Sequence, residues 1–247
     1  MVTGAAGGIG AALARAFADR GAIVIAGDRA WPAEAPRRSI ESTPGSISRI
    51  LLDVTDPSSV TGMIDSAFAA HRRLDVLVNV AGVVSHGSAL ELSTAEWDRV
   101  IAINLRGTFL CCQAALRHMK AGNYGRIVNL GSIVGKNSGN ARPWLAPDEQ
   151  KVAGNVAYGV SKAGVHALTG FLAKEAASHG ITVNAVAPGP IASAMTTAFP
   201  PQLKAMIPVG RMGALADVVN AILFLASPQS AFITGEVLDV NGGMLCD

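Results

Sequence analysis

The sequence predicts an α/β domain of the Rossmann type, an open doubly wound sheet with helices on both faces, and three observations predict it. Short apolar runs of strand length alternate with longer segments of helical periodicity, the pattern of strand–helix–strand units. The first run opens straight into a glycine cluster, Gly4-Ala5-Ala6-Gly7-Gly8-Ile9-Gly10. The second closes on an acidic residue, Asp28, about 20 residues on, as in dinucleotide-binding units. The 247 residues fit one domain spanning 1–247, large enough to bury a core without disulfides.

Composition narrows the function classes. Half of the residues are hydrophobic and 15% are charged, with 27 glycines, which suits a tightly turned globular chain and not a disordered one. A net charge of +2, with arginine pairs only at Arg37-Arg38 and Arg72-Arg73, offers no basic stripe for nucleic acid. Cys111 and Cys112 are neighbours in an apolar helical pattern, and three cysteines make no full disulfide set. Buried thiols in a reducing compartment, and no metal site, are expected. No run reaches the ~18 apolar residues of a membrane span. No basic segment followed by an apolar run opens the chain, so a cytoplasmic protein without a membrane partner is expected.

The elements follow in order. Only Met1 and Val2 precede the glycine turn, so either the chain begins inside this strand or the strand is unusually short. Gly4, Gly8 and Gly10 lack Cβ atoms and let the backbone turn sharply towards a pyrophosphate at the positive end of the following helix, in which Ile9, Leu13, Ala16 and Phe17 recur at helical spacing. Ala22 to Gly27 is a strand ending at Asp28, whose carboxylate suits the hydroxyls of an adenosine ribose and repels a 2′-phosphate, favouring NAD over NADP. Arg29 is the type of residue an NADP site uses. Trp31 to Ser48, with Pro32, Pro36, Pro44 and Gly45, is expected as a loop with at most a short helix. Ile47 to Leu52 is a strand closing in Asp53-Val54, and Pro57 to His71 a helix. Asp53 is either an adenine contact or the cap of that helix. Leu74 to Val78 is a strand running into Asn79-Val80-Ala81-Gly82, where small residues let the chain pass beside a flat cofactor.

Thr94 to Lys120 reads as one long helix, its apolar side interrupted by Asn104, which is either a structural bridge or part of a proton path. Arg126 to Leu130 is a strand that delivers Ser132 to a carboxyl end of the sheet, where open α/β sheets bind ligands. The interval from Ser132 to Tyr158 lacks helical periodicity and is a lid, a substrate loop or a subunit contact. A helix from Val156 to about His179, a strand from Ile181 to Ala187 closing in Pro188-Gly189-Pro190, an irregular segment from Thr196 to Pro208, a helix from Leu215 to Ala226 and a strand from Glu236 to Val240 complete the chain.

Tyr158 and Lys162 carry the chemistry. Four residues apart on a helix, a phenol and an ammonium project from one face. The phenol titrates near ~10 alone, and a fixed ammonium beside it favours the phenolate. The pair is either a proton-transfer device or an exposed stripe of an amphipathic helix.

With these residues in place the chain resembles the short-chain dehydrogenase/reductase family from Met1 to Gly243. The motifs that carry the resemblance are Thr3-Gly4-x-x-x-Gly8-Ile9-Gly10, Asn79-x-Ala81-Gly82, Asn104, Ser132, Tyr158-x-x-x-Lys162 and Pro188-Gly189. The resemblance implies a seven-stranded parallel sheet and a catalytic tetrad of Asn104, Ser132, Tyr158 and Lys162. It implies that Tyr158 exchanges a proton with the substrate oxygen and Ser132 holds that oxygen. Lys162 then lowers the Tyr158 pKa and reaches the nicotinamide ribose, and Asn104 positions a relaying water. It places Ile191 and Ser193 at the carboxamide or phosphates and suggests a homotetramer paired through the helices of Asn104 and Tyr158. Val80 and the long Ser132–Tyr158 interval depart from the family pattern. The expected activity is hydride transfer between NAD and a secondary alcohol or ketone. The alternatives are an NADPH-dependent 3-oxoacyl-thioester reductase, or a dinucleotide-binding protein without turnover. His86, Trp144 and Met195 are candidate substrate contacts.

Overall fold

The computed structural model describes residues 1–32, 38–39, 44–139, 147–192 and 201–246. Eight strands form one sheet: β1 (Val2–Thr3), β2 (Ile23–Asp28), β3 (Arg38–Ser39), β4 (Ser46–Leu51), β5 (Val76–Asn79), β6 (Gly125–Leu130), β7 (Ile181–Pro188) and β8 (Val237–Val240), in the order β3-β4-β2-β1-β5-β6-β7-β8. Seven strands are parallel, and the two-residue β3 pairs antiparallel with β4. The order reverses between β1 and β5, so the loops leaving those strands part and open a crevice at the carboxyl ends.

Nine helices flank the sheet: α1 (Gly8–Ala18), α2 (Pro57–His71), α3 (Thr94–Ile101), α4 (Gly107–Gly122), α5 (Val134–Asn137), α6 (Pro147–Val152), α7 (Val156–Ala176), α8 (Pro201–Lys204) and α9 (Leu215–Ala226), counted among the described residues. Alternation along each strand sends neighbouring side chains to opposite faces. Leu77, Ile127 and Val183 therefore join one core with Ile64 of α2, Met119 of α4 and Leu172 of α7. Val78, Val128 and Val186 join a second with Leu13 of α1 and Ile222 of α9. All eight residues of β7 are buried, because helices cover both its faces. The short β1 is held by neighbours on both sides, Val2 lying between Ala26 and Val78.

Several expectations are corrected. The helix expected from Thr94 to Lys120 is α3 and α4 joined by a π-helical turn over Ala102–Arg106, which carries Asn104. Such turns re-aim side chains and recur at functional sites. The α2 cap is Asp56, whose Oδ1 accepts the Ser58 N–H at 2.9 Å, because Pro57 takes the first helical position. The segment expected as a loop from Trp31 to Ser48 contains β3. The Ser132–Tyr158 interval contains α5 and α6, and the irregular stretch towards Pro208 contains α8.

Candidate active site

The crevice between β1 and β5 is a cleft of about 1280 Å³. At one end the backbone builds it. Gly4 has φ +64°, and a Cβ there would stand 2.7 Å from the Ala81 backbone, so any side chain would force the two loops apart. The Thr3 hydroxyl locks the same crossing by accepting the Val80 and Ala81 N–H groups, each at 3.1 Å. Gly8, at φ +52°, faces open space, and no side chain caps α1 at Gly7. The unclaimed N–H groups of the first turn are available to a phosphate.

The sequence-expected cofactor residues sort clearly. Gly4, Gly8, Ile9, Asp28, Arg29, Asp53, Val54, Ala81, Gly82, Pro188, Gly189 and Ile191 line the cleft with Ser132, Tyr158 and Lys162. Asp28 is tied to the glycine loop, its Oδ2 accepting the Ala6 N–H at 2.9 Å. Asp53 accepts the Thr55 N–H and hydroxyl at 2.8 and 2.7 Å and caps no helix. Gly10 lies beneath the loop, where a Cβ would strike the Gly4 carbonyl oxygen. Asn79 does not reach the cleft: it is buried and donates to Asn129 Oδ1 at 2.9 Å and Cys112 Sγ at 3.3 Å, because strand alternation turns it towards α4. Burial pushes the Cys111 thiol up to about 12, consistent with a packed, inert group. Ser193, Trp144 and Met195 lie outside the described residues. His86 lines the cleft with Ala153 and Gly154, and its backbone bridges Gly154.

The reacting end is made of side chains from separate elements. Asn104 is buried and does not line the cleft. Its amide pairs with both backbone groups of Val83, accepting N–H at 2.8 Å and donating to C=O at 2.9 Å, and it donates to Ser161 Oγ at 3.0 Å. Ser161 in turn donates to the Tyr158 carbonyl at 2.7 Å. Of the two roles expected for Asn104, the side chain fills that of a bridge between the β5 loop and α7. Gly82 keeps the space between Asn104 and Lys162 open, since a Cβ there would lie 3.2 Å from Asn104 Oδ1 and 3.5 Å from Lys162 Nζ.

Lys162 is buried and donates to the Leu130 carbonyl at 2.6 Å, with Nζ 5.9 Å from the centre of the Tyr158 ring. Burial lowers its pKa to about 8. Tyr158 departs from the expected direction. Burial raises its phenol above the ordinary value, and the hydrogen bond with Ser132 pulls it only part of the way back. Desolvation opposes the phenolate, and the ammonium that should favour it points at a carbonyl. Sequence reasoning overlooked Asn155, which caps α7 by accepting the Tyr158 N–H at 3.2 Å. An asparagine just ahead of a helical run is a capping signal. It also overlooked His166, whose Nε2 accepts the Ser132 N–H at 3.4 Å.

Residues 4–245 match the family model described as Enoyl-(Acyl carrier protein) reductase. The chain is 39% identical to (2S)-[(R)-hydroxy(phenyl)methyl]succinyl-CoA dehydrogenase subunit BbsD of Thauera aromatica, over 98% of this chain and 94% of that protein. The chain belongs to the short-chain dehydrogenase/reductase family. As a member it is an oxidoreductase that moves a hydride between a nicotinamide cofactor and a carbon bearing a hydroxyl or carbonyl oxygen. It is 41% identical to cis-4-hydroxycyclohexanecarboxylate dehydrogenase of Sinomonas cyclohexanicum (98% of this chain, 94% of that one). With 3-oxoacyl-[acyl-carrier-protein] reductase FabG of Escherichia coli the identity is 38% (99% and 96%). The crystal structure of gox2181 superposes with a TM-score of 0.84 at 32% identity, covering 98% of this chain and 93% of that one. No helix among the described residues is long and apolar enough to cross a membrane.

Proposed function

We propose that this protein is an NAD-dependent dehydrogenase of secondary alcohols, reversible as a ketone reductase, with Tyr158 as the proton donor and acceptor. The observation that carries the reading is the meeting of Ser132 and Tyr158 hydroxyls in one cleft with the Lys162 ammonium. The cleft exceeds the ~300–1,000 Å³ of ordinary ligand pockets, which suits a dinucleotide and a substrate together. The Gly4 crossing and the open first turn of α1 fit its pyrophosphate. Asp28 would hold the adenosine ribose and Lys162 the nicotinamide ribose. The remaining cofactor contacts fall to Asp53, Val54, Ala81, Gly82, Pro188, Gly189, Ile191 and Ser193.

A nicotinamide bound here supplies or accepts the hydride; this chain's residues manage the proton. Ser132 and Tyr158 hold the substrate oxygen between two hydroxyls. Tyr158 gives its proton to that oxygen in reduction and removes it in oxidation. With its pKa raised, the phenol of the free protein is protonated at neutral pH, the form that reduction needs. Lys162, near 8, is mostly an ammonium at that pH, and once Nζ turns from the Leu130 carbonyl its charge would offset part of the cost of desolvating a phenolate during oxidation. Asn104 braces the loop that carries Ala81 and Gly82.

The relatives favour substrates bearing a carboxylate or an acyl thioester, and FabG favours a second reading as a 3-oxoacyl-thioester reductase, to which Arg29 beside Asp28 would add NADPH use. A cytoplasmic homotetramer is part of the same reading. Phe109 of α4 and Val156, Val160 and Phe171 of α7 are exposed apolar groups on the two helices expected to pair. The test is a screen of secondary alcohols, hydroxy acids and 3-oxoacyl-CoA thioesters with all four nicotinamide forms, read by nicotinamide absorbance. Turnover of an alcohol with NAD supports the first reading, and preference for a thioester with NADPH replaces it with the second. Sedimentation as a monomer would remove the tetramer.

A further inference from the structure

Asn155 does more than cap a helix. Its side chain is buried, and three hydrogen bonds run from its amide in three directions. Oδ1 accepts the N–H of Tyr158 at 3.2 Å, while Nδ2 donates to Ser85 Oγ at 2.8 Å and to the His86 carbonyl at 3.2 Å. The backbones are joined at the same place. Asn155 N–H donates to the Ser85 carbonyl at 2.9 Å, Gly87 N–H to the Ala153 carbonyl at 3.2 Å, and His86 bridges Gly154. Beside it, at the surface, Arg99 pairs with Glu96 at 2.6 and 2.8 Å, and that pair, with the buried Ser85 next to it, holds the Glu96 carboxyl low.

His86, Ala153, Gly154 and Arg99 all line the same cleft as Tyr158. The buried Ser85–Asn155 contact therefore ties the loop of His86 to the backbone of Tyr158. Such a buried contact is stiff only when each polar group in it is satisfied. A shift of about 1 Å at a reacting group is worth up to 100-fold in rate.

We propose that Asn155 is a positioning residue, which with Ser85 braces the loop of His86 against the first turn of α7 and thereby sets where the Tyr158 hydroxyl stands. This rests on Tyr158 being the reacting group, as proposed above. Neither Ser85 nor Asn155 lines the cleft, so the loss of the brace should loosen Tyr158 and leave dinucleotide binding alone.

The chain contains two tyrosines, Tyr124 and Tyr158, so in a Tyr124→Phe background phenolate absorbance titrates Tyr158 alone. In that background Asn155→Ser keeps a cap oxygen but loses the amide hydrogens, and Ser85→Ala removes one hydroxyl from the brace. Amide hydrogen exchange at Tyr158 should quicken at least about tenfold in both, and the phenol titration should move towards ~10 as water enters. With the alcohol that the screen identifies, kcat/KM should fall by roughly tenfold or more. NADH dissociation constants should stay within about twofold. Asp56→Ala, which uncaps α2 instead, controls for lost helix stability and should move neither Tyr158 readout. Unchanged exchange and titration at Tyr158 in both variants would overturn the brace. These two readouts need no turnover. A Tyr158→Phe protein with undiminished activity would sink the catalytic reading and leave the brace standing.

Discussion

The two ends of the cleft are built from different materials. At the end proposed for the cofactor the decisive feature is the absence of side chains: Gly4 leaves no room for a Cβ against the Ala81 backbone, and Gly8 opens the start of α1. At the reacting end Ser132, Tyr158 and Lys162 come together and are steadied by Asn104, Ser161 and Asn155. A backbone-made site fails by steric intrusion, all at once. A side-chain-made site fails by degrees, as one supporting hydrogen bond after another is lost. The phenol that is pushed up and the amine that is pushed down lie at the second end, where water is excluded.

The contrast breaks most visibly at Tyr158. Tyr158→Phe keeps the ring and removes the proton, so turnover should fall by about 10²–10⁴-fold while NADH affinity, measured by fluorescence quenching, stays as it was. Gly4→Ala should do the reverse. It places a Cβ 2.7 Å from backbone at φ +64°, and a strain of roughly 1–3 kcal/mol should appear as a lowered Tm with weakened NADH binding.

Lys162→Met sharpens the contrast through pH. The amine titrates near 8 in the folded protein, against an ordinary value of 10.5 for a solvated lysine. Its burial therefore opposes folding below pH 8, and that opposition fades as pH rises through 8 towards 10.5. Urea titrations should show the native chain gaining on the Met variant by up to about 3 kcal/mol across that window. A parallel pH dependence of the two proteins would show that the amine is solvated. The smallest effect is expected at Asp28. Asp28→Ser removes the charge that repels a 2′-phosphate, and the ratio of kcat/KM for NAD over NADP should drop by roughly tenfold, about 1.4 kcal/mol.

The glycine loop, Asp28 and the Tyr158–Lys162 pair were legible because each depends on spacing along a few residues, which the chain displays directly. Asn79 was misplaced because strand alternation decides its face, and that phase depends on where β5 starts. The long helix through Asn104 was read without its π-helical turn, since the apolar spacing on either side is helical. Asn155 passed unnoticed because its partner Ser85 lies 70 residues away.

The sequence by itself determined the alternating α/β architecture, the crevice loops and the Tyr158–Lys162 pair proposed to move the proton, since these follow from local periodicity, turn chemistry and side-chain type. Only the tertiary structure decided that burial raises the pKa of the Tyr158 phenol and lowers that of Lys162 to about 8. It also decided that Asn104 bridges the β5 loop to α7, and that Asn155 ties Ser85 and His86 to the first turn of α7. The reason is physical: a pKa is set by the water that packing removes, and a buried amide by the partners that folding brings to it from distant parts of the chain.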